Sequence, residues 1–248
     1  MAGSGAAAAA ERTDREDGGT AGRCRAPQDP GGRGPPAPAP RPYTRRVTPS
    51  RPAACAPRDV PTDACGLDEV GRGSLAGPLV AAAVVLAHGF THPLLRDSKR
   101  LSAAQRNAVE PAIRAAALQV AVVELDVAAI DGRGVGWANR VAFERLIAII
   151  SAPHYLCDGR LRLATTRPYT AIVGGDDRVP AIAAASIVAK VHRDRLMVHL
   201  HEELPVYEWH RNKGYGTPVH LAALRRVGPS PHHRRSFLGN LLQPSLPL

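Results

Sequence analysis

The sequence has little that would hold it together by covalent staples or seat it in a membrane. Its four cysteines, Cys24, Cys55, Cys65 and Cys157, are widely scattered and include no Cys-x-x-Cys pair. That excludes a disulfide framework and a zinc knuckle and fits a reducing compartment. No apolar run approaches the roughly 18 residues needed to span a bilayer, and the longest candidates, such as Leu79 to Ala87, suit buried strands instead. The amino terminus has no basic stretch ahead of its short alanine run and turns acidic at once, so it does not read as a secretory signal. Acid is also in short supply. Lys and Arg total 32 against 22 Asp and Glu, a formal charge of +10 on 248 residues. An excess of that size points to a polyanionic partner such as nucleic acid, and says nothing of fold. A cytoplasmic protein with no membrane association is expected.

The scarcity is sharpest at the start. Residues 1–62 hold 11 Pro and 8 Gly but, Met1 apart, no Leu, Ile, Met, Phe or Trp. Such a stretch cannot bury enough apolar surface to offset its ordering entropy and reads as a disordered arm. Ten Arg against six acids give the arm +4, leaving +6 for the other 186 residues. It is expected to add non-specific electrostatic affinity for nucleic acid.

From residue 63 apolar runs alternate with alanine-rich helical stretches, the texture of an α/β domain. Strands are expected at Ala64 to Leu67, Leu79 to Leu86, Leu118 to Leu125, Tyr155 to Cys157 and Thr170 to Val173. Ser102 caps a helix over Ala103 to Ala117, with Pro111 predicting a kink or a break inside it. A turn-rich Asp131 to Gly136 precedes a helix from Trp137 to Ile150. The longest helix runs from Ala181 to about Leu204, opened by Pro180, and a last one is capped by Thr217, with Pro218 first, and closed by Gly228.

The first residues able to carry chemistry are Asp68 and Glu69, adjacent acids at the end of an apolar strand that runs into Gly71-Arg72-Gly73. Neighbouring strand residues point to opposite faces, so both serve one site only where the chain bends, which the glycines permit. Asp158 ends another apolar stretch. On the long helix Ser186, Lys190 and Asp194 share one face by their spacing of four, beside an apolar stripe of Ile187, Val191 and Val198. Four carboxylates without His or Cys make a hard, oxygen-only site suited to Mg²⁺ or Mn²⁺. In a basic protein that combination suggests metal-assisted phosphoryl transfer on nucleic acid. Asp176 and Asp177 are assigned to turn and helix-start duties. No histidine receives a catalytic role, and the His232-His233 block reads as structural or phosphate-facing.

GLDEVGRGSLAGPLVAAAVVL, PAIAAASIVAKVHRDRLM and NKGYGTPVHLAALRRVGPSPHHRRSF resemble, in order, the signature blocks of the ribonuclease HII family, over about residues 64–237. The resemblance implies a ribonuclease H-like α/β fold: a central mixed five-stranded sheet flanked by helices, with a C-terminal helical part over the substrate groove. It implies a metal-dependent endoribonuclease that cuts the RNA strand of RNA/DNA hybrids and ribonucleotides embedded in duplex DNA, leaving 5′-phosphate and 3′-hydroxyl ends. The family's four metal-binding acids carry over to Asp68, Glu69, Asp158 and Asp194, which would hold two ions about 4 Å apart. Its Gly-Arg-Gly motif falls on Gly71, Arg72 and Gly73, implied to read the ribose 2′-hydroxyl, and its junction-sensing tyrosine on Tyr215. Ser98 and Lys99 match its DSK segment and are implied to hold backbone phosphate, with Lys190 nearby. Ser74 departs from the proline that often follows the glycines, and Ile130 to Val141 follows the pattern only loosely.

The C-terminal Gln243-Pro244-Ser245-Leu246-Pro247-Leu248 resembles the six-residue sliding-clamp-binding motif of bacterial replication and repair proteins, typically Gln-Leu-Ser-Leu-Pro-Leu. Gln243 would fix register while Leu246 and Leu248 fill an apolar pocket. The expected organisation is thus an arm over 1–62, a catalytic domain over 63–237 and a tail over 238–248, in a monomer. The rivals are a ribonuclease HIII-type enzyme, whose folded N-terminal domain the arm cannot supply, and a catalytically inactive hybrid-binding protein.

Overall fold

The computed structural model describes residues 61, 63–95 and 98–239. The arm other than Pro61 and the proposed clamp motif lie outside the described residues. Strands β1 (Cys65–Val70), β2 (Leu79–Leu86), β3 (Ala117–Leu125), β4 (Tyr155–Asp158) and β5 (Tyr169–Ile172) form one sheet in the order β3-β2-β1-β4-β5. The first three are antiparallel neighbours, whereas β1–β4 and β4–β5 are parallel, so the sheet is mixed as expected.

Period-two alternation sorts the core into two layers. Along β2, Leu79, Ala81, Ala83 and Val85 face one cluster with Phe143, Leu146 and Ile147. Val80, Ala82, Val84 and Leu86 face another with Val109, Ile113, Ile187 and Val188. Helices α2 (Val127–Arg133) and α3 (Val135–Ile149) therefore cover one face of the sheet. Helices α1 (Ala103–Ala116) and α4 (Pro180–Glu203) cover the other. Helix α4 lies close on β1 because residue 66 is glycine: a Cβ there would stand 2.1 Å from the Ala181 backbone. A third cluster joins Leu75, Met197, Tyr207, Trp209 and Leu224, packing α5 (Trp209–Asn212), α6 (Pro218–Val227) and α7 (Arg235–Leu238) onto the far end of α4.

Three local expectations are corrected. Helix α1 runs through Pro111 without ending, so the break is the part of that expectation that is corrected. An interior proline costs about 3 kcal/mol, but Ser102 and Gln105 form a complete capping box, and buried Val109 and Ile113 flank the proline. The buried Glu110 side chain also accepts from Arg114 and Arg195. The stretch read as turn-rich is helical except at Gly134, Asp131 to Arg133 ending α2 and Val135 opening α3; Asp126 Oδ1 caps α2 at Ala129 N (2.7 Å), and buried Ile130 anchors it to the core. The stripe on α4 stops short, because Ile187 and Val191 are buried while Val198 is exposed.

Candidate active site

The acids stand where strands stop. Asp68 and Glu69 are the fourth and fifth residues of β1, and Asp158 is the last of β4, one step beyond the paired Leu67 and Cys157. Asp68 lies on the α4 face, where Ser186 favours its ionised form, and Glu69 on the α3 face, where Asn139 does the same. The two adjacent acids keep their strand alternation and still feel each other and Asp158 electrostatically. Burial pushes the Asp68 carboxyl well above the usual carboxylate range, and the charges of Glu69 and Asp158 add to the rise. Glu69 is raised by burial too, against the pull of Arg72, whose Nη1 lies 3.2 Å from its Oε1. Asp158 is raised by burial although its Oδ1 accepts from Gly175 N at 2.7 Å. Glu69 Oε2 is buried with no hydrogen-bond partner.

Asp194 is placed elsewhere. It lies eight residues beyond Ser186 on α4, about 12 Å along the axis at 1.5 Å per residue. Its Oδ1 accepts from Lys190 Nζ at 2.6 Å and its Oδ2 lies 3.5 Å from Arg106. The fourth acid at the strand ends is Asp176. It is buried in the 3-10 turn Gly175–Asp177, it raises Asp158 by its charge, and its Oδ2 accepts from Lys99 Nζ at 3.0 Å. Sequence reasoning gave Asp176 to the turn. Its placement follows from the topology: the turn follows β5, the parallel neighbour of β4, so it returns the chain to the strand end that carries Asp158.

The remaining expected residues divide by exposure. Gly71 has φ +89° and Gly73 has open space around its Cα, while the Arg72 side chain is exposed apart from its pair with Glu69. Lys99 is largely exposed and Lys190 half-buried. Tyr215, at the edge of exposure, sits in the loop between α5 and α6. Ser98 is buried, and its hydroxyl meets that of Ser186 at 2.8 Å, so it supports Asp68 through Ser186. A groove of about 370 Å³ between α1 and α4 is lined by Arg106, Asp194, Arg195, Val198 and Lys213.

The histidines form a neutral structural knot. His220 Nδ1 donates to the Tyr215 carbonyl (2.9 Å), leaving its Nε2 to accept from Trp209 Nε1 (3.1 Å) and from His233 Nε2 (3.0 Å). His233 Nδ1 then accepts from Ser230 N at 2.9 Å. Only uncharged rings satisfy that pattern. Burial lowers both pKa values, that of His233 to about 4.

Residues 65–239 match the family model for ribonuclease HII. The chain belongs to the ribonuclease HII family. The ribonuclease HII of Porphyromonas gingivalis is 45% identical over 178 residues, covering 71% of this chain and 89% of that protein. The ribonuclease HII in a complex with PCNA from Archaeoglobus fulgidus superposes with a TM-score of 0.64 at 24% identity, over 73% of this chain and 98% of that one. Bst-RNase HIII in complex with Mn²⁺ gives 0.55 at 20% identity, over 70% and 64%. The two structures share the fold, and the relatives at high identity name type HII rather than HIII.

Ribonucleases H depend on divalent metal, and the residues here fit one. The donors are oxygen only, Glu69 Oε2 is an orphaned buried acceptor, and like charges raise one another's pKa where a cation would lower them. Among the described residues no three His, Cys, Asp or Glu side chains already stand arranged to hold an ion. Arg72 pairs with Glu69 and Lys99 with Asp176. No described helix is long and apolar enough to cross a membrane.

Proposed function

We propose that this ribonuclease HII acts as a cytoplasmic monomer that hydrolyses the RNA strand of RNA/DNA hybrids and the strand of duplex DNA at embedded ribonucleotides. Water adds to phosphorus and the bond to the 3′-oxygen breaks, leaving a 5′-phosphate and a 3′-hydroxyl. The observation that carries this reading is the cluster of buried, mutually repelling acids, with its orphaned Glu69 oxygen, opening beside exposed basic side chains.

Asp68, Glu69, Asp158 and, by its placement, Asp176 would hold Mg²⁺ or Mn²⁺, with Asp194 an ion-pair partner of Lys190 and Arg106. Bound there, such ions would supply water activation and neutralise charge on the scissile phosphate and the departing oxygen. Ser186 orients Asp68 and Asn139 orients Glu69. Gly71, Arg72 and Gly73 read the 2′-hydroxyl through a backbone that nothing crowds at Gly73. Tyr215 packs on the following deoxyribose, and Lys99 and Lys190 face phosphate. Cleavage of a duplex carrying one ribonucleotide, with and without Mg²⁺, tests the reading. Metal-dependent cutting at the ribonucleotide is expected, and binding without cleavage would leave the inactive hybrid-binding rival.

A clamp partner is a second element of the proposal. It rests on Gln243, Leu246 and Leu248 of the C-terminal motif, and the Archaeoglobus protein in its complex with PCNA is consistent with it. Removing residues 243–248 should abolish clamp binding while leaving cleavage of free oligonucleotides unchanged. Equal binding by both forms would remove the clamp from the account.

A further inference from the structure

The Gly71–Gly73 turn follows β1 and Tyr215 precedes α6, more than 140 residues later, yet one side chain touches both segments. Arg193 of α4 is fully buried, and its guanidinium has no carboxylate among its hydrogen-bond partners. Nε donates to the Pro78 carbonyl (2.9 Å), Nη1 to the Lys213 carbonyl (2.9 Å), and Nη2 to the Ala76 carbonyl (3.0 Å) and the Ser74 hydroxyl (2.8 Å). Ser74 passes the contact on, because its hydroxyl donates to the Gly71 carbonyl at 2.9 Å. The guanidinium carbon also lies 5.5 Å from the centre of the Tyr215 ring. A Cβ on Gly71 would come within 2.3 Å of Arg193 Nε, so the glycine is needed to admit the arginine as well as to take a positive φ.

A second buried arginine completes the arrangement. Arg234 donates to the Arg72 carbonyl (3.1 Å) and twice to that of Gly77 (3.0 and 2.8 Å). In a trans peptide the N–H points opposite to the C=O. With the Gly71 and Arg72 carbonyls held toward the interior, the Arg72 and Gly73 N–H groups turn outward as neighbouring donors. Successive donors of that kind make a concavity for an oxygen.

We propose that Arg193 is a positioning residue for substrate selection, fixing the Gly71–Gly73 turn and Tyr215 in one frame so that ribose and the following deoxyribose are recognised together. The inference rests on the roles given above to that turn and that ring. It needs arginine rather than any cation, because a planar fork with five donors spans four acceptors where a single ammonium with three cannot.

The test compares Arg193→Lys, Ser74→Ala and Tyr215→Ala in the full chain, with kcat/KM measured on a duplex with one ribonucleotide and on a continuous RNA/DNA hybrid, and folding followed by melting. Arg193→Lys should lower the single-ribonucleotide to hybrid ratio by about tenfold or more, the scale of losing a supporting contact to a site. Ser74→Ala should shift the ratio in the same direction by less. A general loss of packing would lower both rates together, and equal losses in a folded Arg193→Lys protein would overturn the proposal. Should Arg193→Lys fail to fold, Ser74→Ala decides, and an unchanged ratio there overturns it equally. A ratio that moves in Tyr215→Ala but in neither other variant removes only the role of Arg193. A ratio unmoved by Tyr215→Ala removes the reading of Tyr215 and, with it, this inference.

Discussion

The acids at the ends of β1 and β4 and the arginines behind residues 71–78 are both charges taken out of water, but their surroundings are opposite in kind. Asp68 is raised by its own burial and by like charges, and Glu69 leaves a buried oxygen without a donor. Arg193 and Arg234 spend their N–H groups on backbone carbonyls and a hydroxyl at 2.8–3.1 Å. One region is left incomplete in a way that a cation would relieve, and the other is complete without a ligand. The difference separates the part that does chemistry from the part that holds the reading surface still.

Neutralising an acid should therefore stabilise the metal-free fold while removing function. Asp68→Asn is expected to lower cleavage by about 10²-fold or more, the scale of losing one preorganised charge-stabilising group. It should also raise the melting temperature without metal. Cleavage near the wild-type rate would break the comparison at its strongest point. Asp176→Asn should lose activity on a similar scale and Asp194→Asn clearly less, and the reverse order in the same assay would return the fourth ligand to the helix.

On the other side of the comparison, Arg234→Met should destabilise, by about 1–3 kcal/mol for each carbonyl left unpaired, read by denaturant unfolding. A variant as stable as wild type would show that the buried arginine is dispensable. The histidine knot gives a smaller effect, with its sign fixed by linkage. The folded-state pKa of His233 is held down at about 4 by burial, against 6.5 for the free side chain. Its contribution is present above pH 6.5 and is lost as pH falls toward 4, because the unfolded chain then binds the extra proton. The melting temperature should drop over that window, less steeply in His233→Gln. Smallest of all, deleting residues 1–62 should leave turnover nearly unchanged and flatten the salt dependence of duplex binding, since the arm carries +4. An unchanged salt slope would show that the arm does not touch nucleic acid.

The sequence made the sheet legible because strong signals coincide there. β2 is apolar at every position and buried at every position, and Asp68, Glu69 and Asp158 end the apolar runs as read. The helix ends at Ser102, Pro180, Thr217 and Gly228 were equally readable, because capping chemistry is local. What escaped was set by distant contacts. Asp131-Gly132-Arg133 looks like a turn until Asp126 caps the segment and Ile130 finds the core. Asp194 has the right chemistry and a suggestive helical spacing, but the spacing says only which face it shares, and Arg106 from α1 claims it. Asp176 reads as a turn acid because nothing near it in sequence shows that its turn returns to Asp158.

The central claim, that the acids at the strand ends are held incomplete for a cation, is tested most directly by melting wild-type and Asp68→Asn proteins with and without Mn²⁺. The wild type should melt lower than the variant without metal and rise clearly when Mn²⁺ is added, while the variant starts higher and gains little. A variant that melts below wild type in the absence of metal, and shows the same Mn²⁺-dependent rise, would contradict it.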